Sequence, residues 1–149
     1  MMTSAVDYRI ESHERGGGLA SIQPGMRDAA GDLRETLRSM EALLRVARGE
    51  GSAADFERLE IEPDADPVDA VPAFVDSWAL DVQASDSRVV FTLGMGGPHI
   101  ELDILTIPGG GVEEVILRRS WSPARDRAWT NDARALDLVE DFLDLIGRH

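Results

Sequence analysis

Three side chains on one predicted strand are the first candidates for chemistry. His99, Glu101 and Asp103 alternate with apolar residues, and alternate residues of a strand point to the same face. An imidazole and two carboxylates can ligate a hard or borderline metal ion. Alternate residues lie about 6.6 Å apart, however, so three of them converge on one ion only with help from another element. We therefore predict a solvated strand face, with no metal and no cofactor, and keep the three as candidates to check.

One region of the sequence is both aromatic and basic, a mixture that stacks on nucleic-acid bases or anchors protein interfaces. The alternative is structural: tryptophans close the ends of a small core while arginines pair with surplus carboxylates. The structural interpretation is favoured, and the other stays open. The residues are Trp78, Trp121, Trp129, Arg118, Arg119, Arg125 and Arg127.

No pattern in the chain indicates an enzyme. The glycine-rich run 94–98 is followed by neither Lys-Ser/Thr nor a helix, so it predicts a hairpin connection rather than a phosphate-binding loop. The chain has no cysteine and three histidines, of which only His99 lies in a predicted element, without a nucleophile elbow. We predict no catalytic residues.

The charge of the chain excludes several classes of partner. It has 28 carboxylates against 15 basic residues, all arginine, and a net charge of −13. Such a chain repels phosphates and anionic membranes, which disfavours direct nucleic-acid or membrane binding. A basic protein is the partner that this charge favours. The chain also contains no apolar run of the length that a signal peptide or a membrane span needs, which predicts a cytoplasmic protein.

The first half of the chain predicts helices and a connector. Met26, Leu33, Leu37 and Leu44 belong to an apolar stripe at helical spacing, which predicts one helix over about 24–48. Ser52 is a good N-cap for a second, shorter helix. Residues 60–77 are rich in proline and carboxylates and predict an extended connector, with at most a helical turn near 72–78.

The second half alternates with a period of two and then returns to a helical period. Four apolar alternations between residues 80 and 121 predict four short strands in an antiparallel meander, and residues from 136 to 146 predict a last helix closed by Gly147. The fold class is therefore α+β, a two-layer sandwich with helices on one face of the sheet. Residues 1–22 predict a flexible segment and 23–149 a single domain.

Residues 89–146 carry a resemblance to a known group. A strand, the turn Gly96-Gly97-Pro98, the strand 99–104, a strand running into Trp121 and an apolar C-terminal helix follow one another. This order resembles small uncharacterised proteins borne by phages and mobile elements, although Met95 stands where that group has threonine and an acidic-aromatic stretch is missing around Trp121. The resemblance implies no catalytic residues. It implies a protein that binds and blocks a host protein.

The last helix carries the candidate partner-binding residues. Their spacing places them in one acidic stripe opposite the apolar face of the helix. We therefore expect a non-enzymatic module that binds a basic protein, such as an inhibitor of a nucleic-acid-handling defence complex of the anti-CRISPR or anti-restriction kind. An immunity protein against a basic toxin, or a small enzyme or ligand-binding domain working at His99, are the alternatives, and the sequence leaves the oligomeric state open. The stripe consists of Asp137, Glu140, Asp141 and Asp144.

Overall fold

The chain folds into an antiparallel sheet with helices packed on one of its faces, as described by a computed structural model over residues 7–15, 28–94, 99–121 and 124–147. The predicted α+β class is confirmed. In chain order the elements are β1 (Glu11–Arg15), α1 (Ala29–Ala47), α2 (Ala53–Leu59), α3 (Pro67–Trp78), β2 (Asp81–Ala84), β3 (Arg88–Gly94), β4 (His99–Thr106), β5 (Val112–Trp121), β6 (Ala124–Thr130) and α4 (Ala133–Ile146).

Within the described ranges the sheet has six strands in the order β1-β6-β5-β4-β3-β2, all paired antiparallel. The prediction of four strands was therefore wrong in number, because β1 and β6 were missed. The sequence of β6 is mostly polar. Its buried residues are Asp126, Ala128 and Thr130, and its exposed residues include Arg125 and Arg127. An aspartate and a threonine on the buried side remove the apolar alternation that marks a strand.

Part of the segment predicted to be flexible forms an edge strand. β1 pairs with β6 from Glu11 opposite Trp129, and just before it Tyr8 is buried with its hydroxyl donating to Glu41 of α1. Burial, with this hydrogen bond, raises the pKa of Tyr8 above its ordinary value. The remainder of that segment, 1–6 and 16–22, lies outside the described residues.

Helix α1 follows the predicted apolar stripe. It was predicted over 24–48 and is observed from Ala29, where the Asp28 side chain accepts a hydrogen bond from the Gly31 N–H as N-cap. Residues 24–27 lie outside the described part of the chain. Leu33 and Leu37 are fully buried against the sheet and the other helices, so the stripe is the core-facing side of the helix.

Helix α2 begins as predicted after Ser52, with a reciprocal capping box between Ser52 and Asp55. Asp55 is buried and accepts two hydrogen bonds from Arg45 of α1, at 2.9 and 2.8 Å. The bonds from Arg45, more than the opposing burial, lower the pKa of Asp55 to about 2. This ion pair joins the two helices.

The acidic segment predicted as an extended connector, 60–77, is largely helical. Helix α3 starts at Pro67, with Asp66 as N-cap accepting from the Val68 N–H, and it continues through Pro72. Pro67 is compatible with the first turn of a helix because the N–H it lacks has no intrahelical partner there, whereas Pro72 lies inside the helix. The prediction failed because it took the acidic, proline-rich composition for a connector and allowed only a helical turn near 72–78.

The core lies between the helices and one face of the sheet, here called the helix-side face, which presents Phe91, Leu102 and Leu117. Helices α1 and α4 pack on β5, and α1 also packs on β6. Phe142 of α4 lies 6.0 Å from Phe91, centroid to centroid. No helix in the described ranges is long and apolar enough to cross a membrane.

Candidate functional site

The other side of the sheet, here called the open face, is covered by no described helix. His99, Glu101 and Asp103 share this face, as the alternation predicted. They do not converge. His99 Nε2 lies 2.9 Å from Glu101 Oε1, whereas Asp103 is buried and accepts hydrogen bonds from two arginines.

Both arginines bind the carboxylate of Asp103. The Arg88 guanidinium reaches both carboxylate oxygens, at 3.1 and 2.5 Å, and Arg118 Nη1 lies 2.5 Å from Oδ2. Within the described residues, no three His, Asp or Glu side chains are close enough together to hold a metal ion. Asp103 therefore acts as a shared anchor for two cations of the open face.

Arg119, the next residue of β5, faces the helices instead. It is 4% exposed and binds Asp126 and Asp32, at 2.9 and 2.8 Å. Asp126 also accepts the Ala29 N–H, at the start of α1. Burial by itself lowers the pKa of Arg119, but its bonds to Asp32 and Asp126 outweigh burial and raise it. Arg119 therefore links the sheet to helix α1 through ion pairs.

The aromatic and basic region predicted from sequence is thus split between two environments. Trp78 is half-buried and packs against the core, 5.5 Å from Phe91 and 5.6 Å from Phe142 between ring centroids. Trp129 lies on the open face, with the Arg127 guanidinium 5.3 Å from its ring centroid. The Trp121 side chain lies outside the description. Arg118 and Arg127 therefore belong to the open face, and Trp78 and Arg119 to the helix side of the sheet.

A cavity of about 350 Å³ opens at the end of the open face where β5 leads to β6, and its lining also includes the helix-side pair Arg119 and Asp126. Its described lining contains no apolar side chain. Four arginines and two carboxylates line it, leaving a net charge of +2 with the histidines neutral, in a chain of −13. Sequence reasoning had placed these four arginines in one aromatic and basic region, but it missed His13. The signal for its open-face members was parity, because Arg125 and Arg127 are two residues apart on β6 and share a face.

The acidic surface lies elsewhere. Between Glu57 and Asp86 the chain carries nine carboxylates, all exposed, and a single cation, Arg58. On α4, Asp137 and Asp141 are exposed, and Asp141 lies 3.5 Å from Arg48. The predicted stripe of α4 therefore faces away from the core, and Asp141 already has a partner within the chain.

A groove joins this acidic surface to apolar residues. It has a volume of about 590 Å³ and is bounded by α3, the edge strand β2 and the end of α4. Val71, Val75 and Ile146 contribute apolar surface, and Asp76 and Asp81 contribute carboxylates. We call this feature the acidic groove. Leu80, which also lines it, is 59% exposed, unusual for a large apolar side chain.

Comparisons of the chain with protein-family models, with curated proteins and with solved structures found no match.

Proposed function

We propose that this protein is a non-enzymatic binding module whose acidic groove engages a basic, partly apolar segment of another protein. The observation that carries the proposal is the coincidence of exposed apolar surface with exposed carboxylates, at Leu80, Asp76 and Asp81. An apolar surface gains free energy when a partner removes it from water, at about 25 cal/mol per Å². Carboxylates beside it select cationic partners.

The edge strand supports the same proposal. β2 pairs only with β3, so its other side has backbone groups without a strand partner among the described residues. An extended segment can add to such an edge through backbone hydrogen bonds while its side chains enter the groove. Asp81 on that strand disfavours pairing with another acidic strand, which argues against a second copy of this chain as the occupant.

The acidic stripe of α4 extends the charged surface. Leu145 and Ile146 at the end of that helix line the groove, and Asp137 and Glu140 lie on earlier turns of the same helix. Carboxylates that lie outside the groove steer a cationic partner and raise the rate of association rather than adding contact area. The stripe is proposed as a steering surface, with the groove as the contact.

The sharpest form of the proposal is a stoichiometric inhibitor of a basic, nucleic-acid-handling defence protein in the cytoplasm, such as an anti-CRISPR or anti-restriction protein. The net charge of −13 supports it, because a polyanionic surface competes for cations that otherwise contact phosphates. The resemblance of residues 89–146 to mobile-element proteins supports the same setting. An immunity protein that neutralises a basic toxin would use the same chemistry.

The experiment uses two variants of equal charge. Asp76→Arg/Asp81→Arg alters the groove, whereas Glu50→Arg/Glu113→Arg alters exposed carboxylates outside it. Both move the net charge from −13 to −9. Each tagged protein is used to capture partners from lysate of the source organism. The affinity for the partner identified with wild type is then measured at two salt concentrations.

The groove variant is expected to lose at least about tenfold in affinity, the loss that one or two charge-assisted contacts account for. The control should stay within about threefold, and wild-type binding should weaken as salt rises. A third variant, Asp137→Arg/Glu140→Arg, should reduce the association rate more than it raises the dissociation rate. Equal losses in groove variant and control, or no partner at low salt, would contradict the proposal.

A further inference from the structure

The polar and charged side chains that line the cavity on the open face form two rows across neighbouring strands. In the first row His13, Arg127, Arg118 and Glu101 oppose one another in turn on β1, β6, β5 and β4. In the second row, nearer the end of the sheet, Arg125, Ser120 and His99 do the same on β6, β5 and β4. Opposed side chains on one face have Cβ atoms roughly 4.5–5.5 Å apart. The rows therefore converge on the cavity that these residues line.

The first row places like charges directly opposite each other. Arg118 and Arg127 are cross-strand partners, and such a pair destabilises a sheet unless something compensates for it. The charge of Arg118 is partly compensated by the Asp103 carboxylate, which also binds Arg88. In the described part of the chain Arg127 has an aromatic ring but no carboxylate, and Arg125 is exposed without a described ion pair. An anion between the two rows would relieve this repulsion.

The lining indicates which anion. Guanidinium groups present forked N–H donors that match the oxygens of phosphate, and Ser120 and the two histidines add further polar groups. A volume of about 350 Å³ lies in the range of small-molecule sites. We infer that the open-face cavity binds a phosphate-bearing small molecule through Arg125, Arg127 and Arg118.

The overall negative charge does not prevent this. At physiological ionic strength charges are screened beyond about 8 Å, so a small anion in the cavity is attracted mainly by the nearby cations that line it. A long nucleic acid would extend past the cavity toward carboxylates of a chain of −13. Inorganic phosphate and a nucleoside monophosphate share the chemistry that the arginines recognise, and the experiment separates them from a polymer.

The test is isothermal titration calorimetry at low salt, in a buffer without phosphate. The probes are inorganic phosphate, adenosine 5′-monophosphate, adenosine and a short single-stranded RNA. Wild type is compared with Arg125→Gln/Arg127→Gln and with Arg34→Gln/Arg58→Gln, a control that removes the same charge from the helices. Circular dichroism melts verify that each variant folds. Arg127→Lys keeps the charge of Arg127 and removes its fork.

Phosphate and the monophosphate are expected to bind, and adenosine is not. The open-face double variant should weaken binding about tenfold or more, the control less than about twofold, and Arg127→Lys by an intermediate factor. The inference is overturned if neither phosphate compound binds at 10 mM, roughly the weakest affinity such a site would give. Equal loss in the control overturns it too, as does binding of the RNA much more tightly than the monophosphate, which would identify a polymer site.

Discussion

Two cross-strand pairs of the β5–β6 hairpin are neighbours in sequence and opposite in environment. Arg119 opposes Asp126 on the helix-side face, where they are 4% and 7% exposed, and Arg118 opposes Arg127 on the open face. Where water is excluded, the cation has two carboxylate partners. Where water has access, like charges face each other. The difference separates a pair that holds the fold from a pair that is suited to a ligand.

The largest effect is expected on the buried side. Arg119→Met leaves the carboxylates of Asp32 and Asp126 without their shared cation, and removing one member of a buried ion pair costs about 3–5 kcal/mol. Urea denaturation at pH 7 measures the free energy of unfolding. Arg127→Met is the matched control on the opposite face and should change that free energy by less than about 0.5 kcal/mol. Similar values for the two variants would erase the distinction between the faces.

Asp103→Asn should have an intermediate effect, because Asp103 is buried but its arginine partners are 40–48% exposed. The loss of charged hydrogen bonds should lower the free energy of unfolding by about 1.5–3 kcal/mol. The variant also releases Arg118 toward the cavity and removes a negative charge. Phosphate binding should therefore tighten while stability falls. Weakening of both would show that Asp103 positions Arg118 rather than competing with the ligand.

The ion pair between Asp55 and Arg45 tests whether a buried carboxylate between two helices stabilises the fold, as the carboxylates around Arg119 are expected to do. The folded-state pKa of Asp55 is about 2, below its ordinary 3.8, so the stabilisation is complete above pH 4 and is lost as pH falls through 2. Asp55→Asn should flatten this part of the stability–pH curve by about 1–2 kcal/mol, a figure reduced because Arg45 is 42% exposed. Chemical denaturation between pH 2 and 5 measures it. A curve unchanged by the substitution would contradict the assignment.

The smallest effect is expected for Arg127→Gln. It removes one of two opposed guanidiniums and should leave stability unchanged or raise it by about 0.2–0.5 kcal/mol at low salt. Thermal melts with and without 0.5 M NaCl provide the measurement, because salt should abolish any gain. Arg34→Gln on α1 controls for the general loss of positive charge. A clear destabilisation would mean that the contact with Trp129 outweighs the repulsion.

The sequence predicted the elements whose apolar residues recur with a helical or strand period. The stripes of α1 and α4 and the alternations of β2 to β5 were readable because apolar side chains occupy one face. α3 was predicted only as a helical turn near 72–78, because the acidic, proline-rich composition around it is typical of a connector. β6 was missed because Asp126 and Thr130 occupy its buried side.

The site was predicted only in part, for a different reason. Alternation placed His99, Glu101 and Asp103 on one face, and parity separates Arg118 from Arg119. The pairing of Arg119 with Asp32, 87 residues away, and the arrival of His13 beside Arg127 depend on tertiary contacts. No local pattern encodes such contacts, so the sequence shows that Arg118 and Arg119 lie on opposite faces but not which carboxylates each one binds.

The pairing of the first strand with the last also has a consequence for synthesis. The bond from Thr130 Oγ1 to the Arg9 carbonyl spans 121 residues, so β1 has no partner until β6 leaves the ribosome, roughly 6–24 s later at ~5–20 residues per second. During that interval a nascent apolar strand would invite aggregation. The five residues of β1, Glu-Ser-His-Glu-Arg, are all polar. An unpaired β1 therefore stays hydrated and exposes no apolar side chain to other nascent chains.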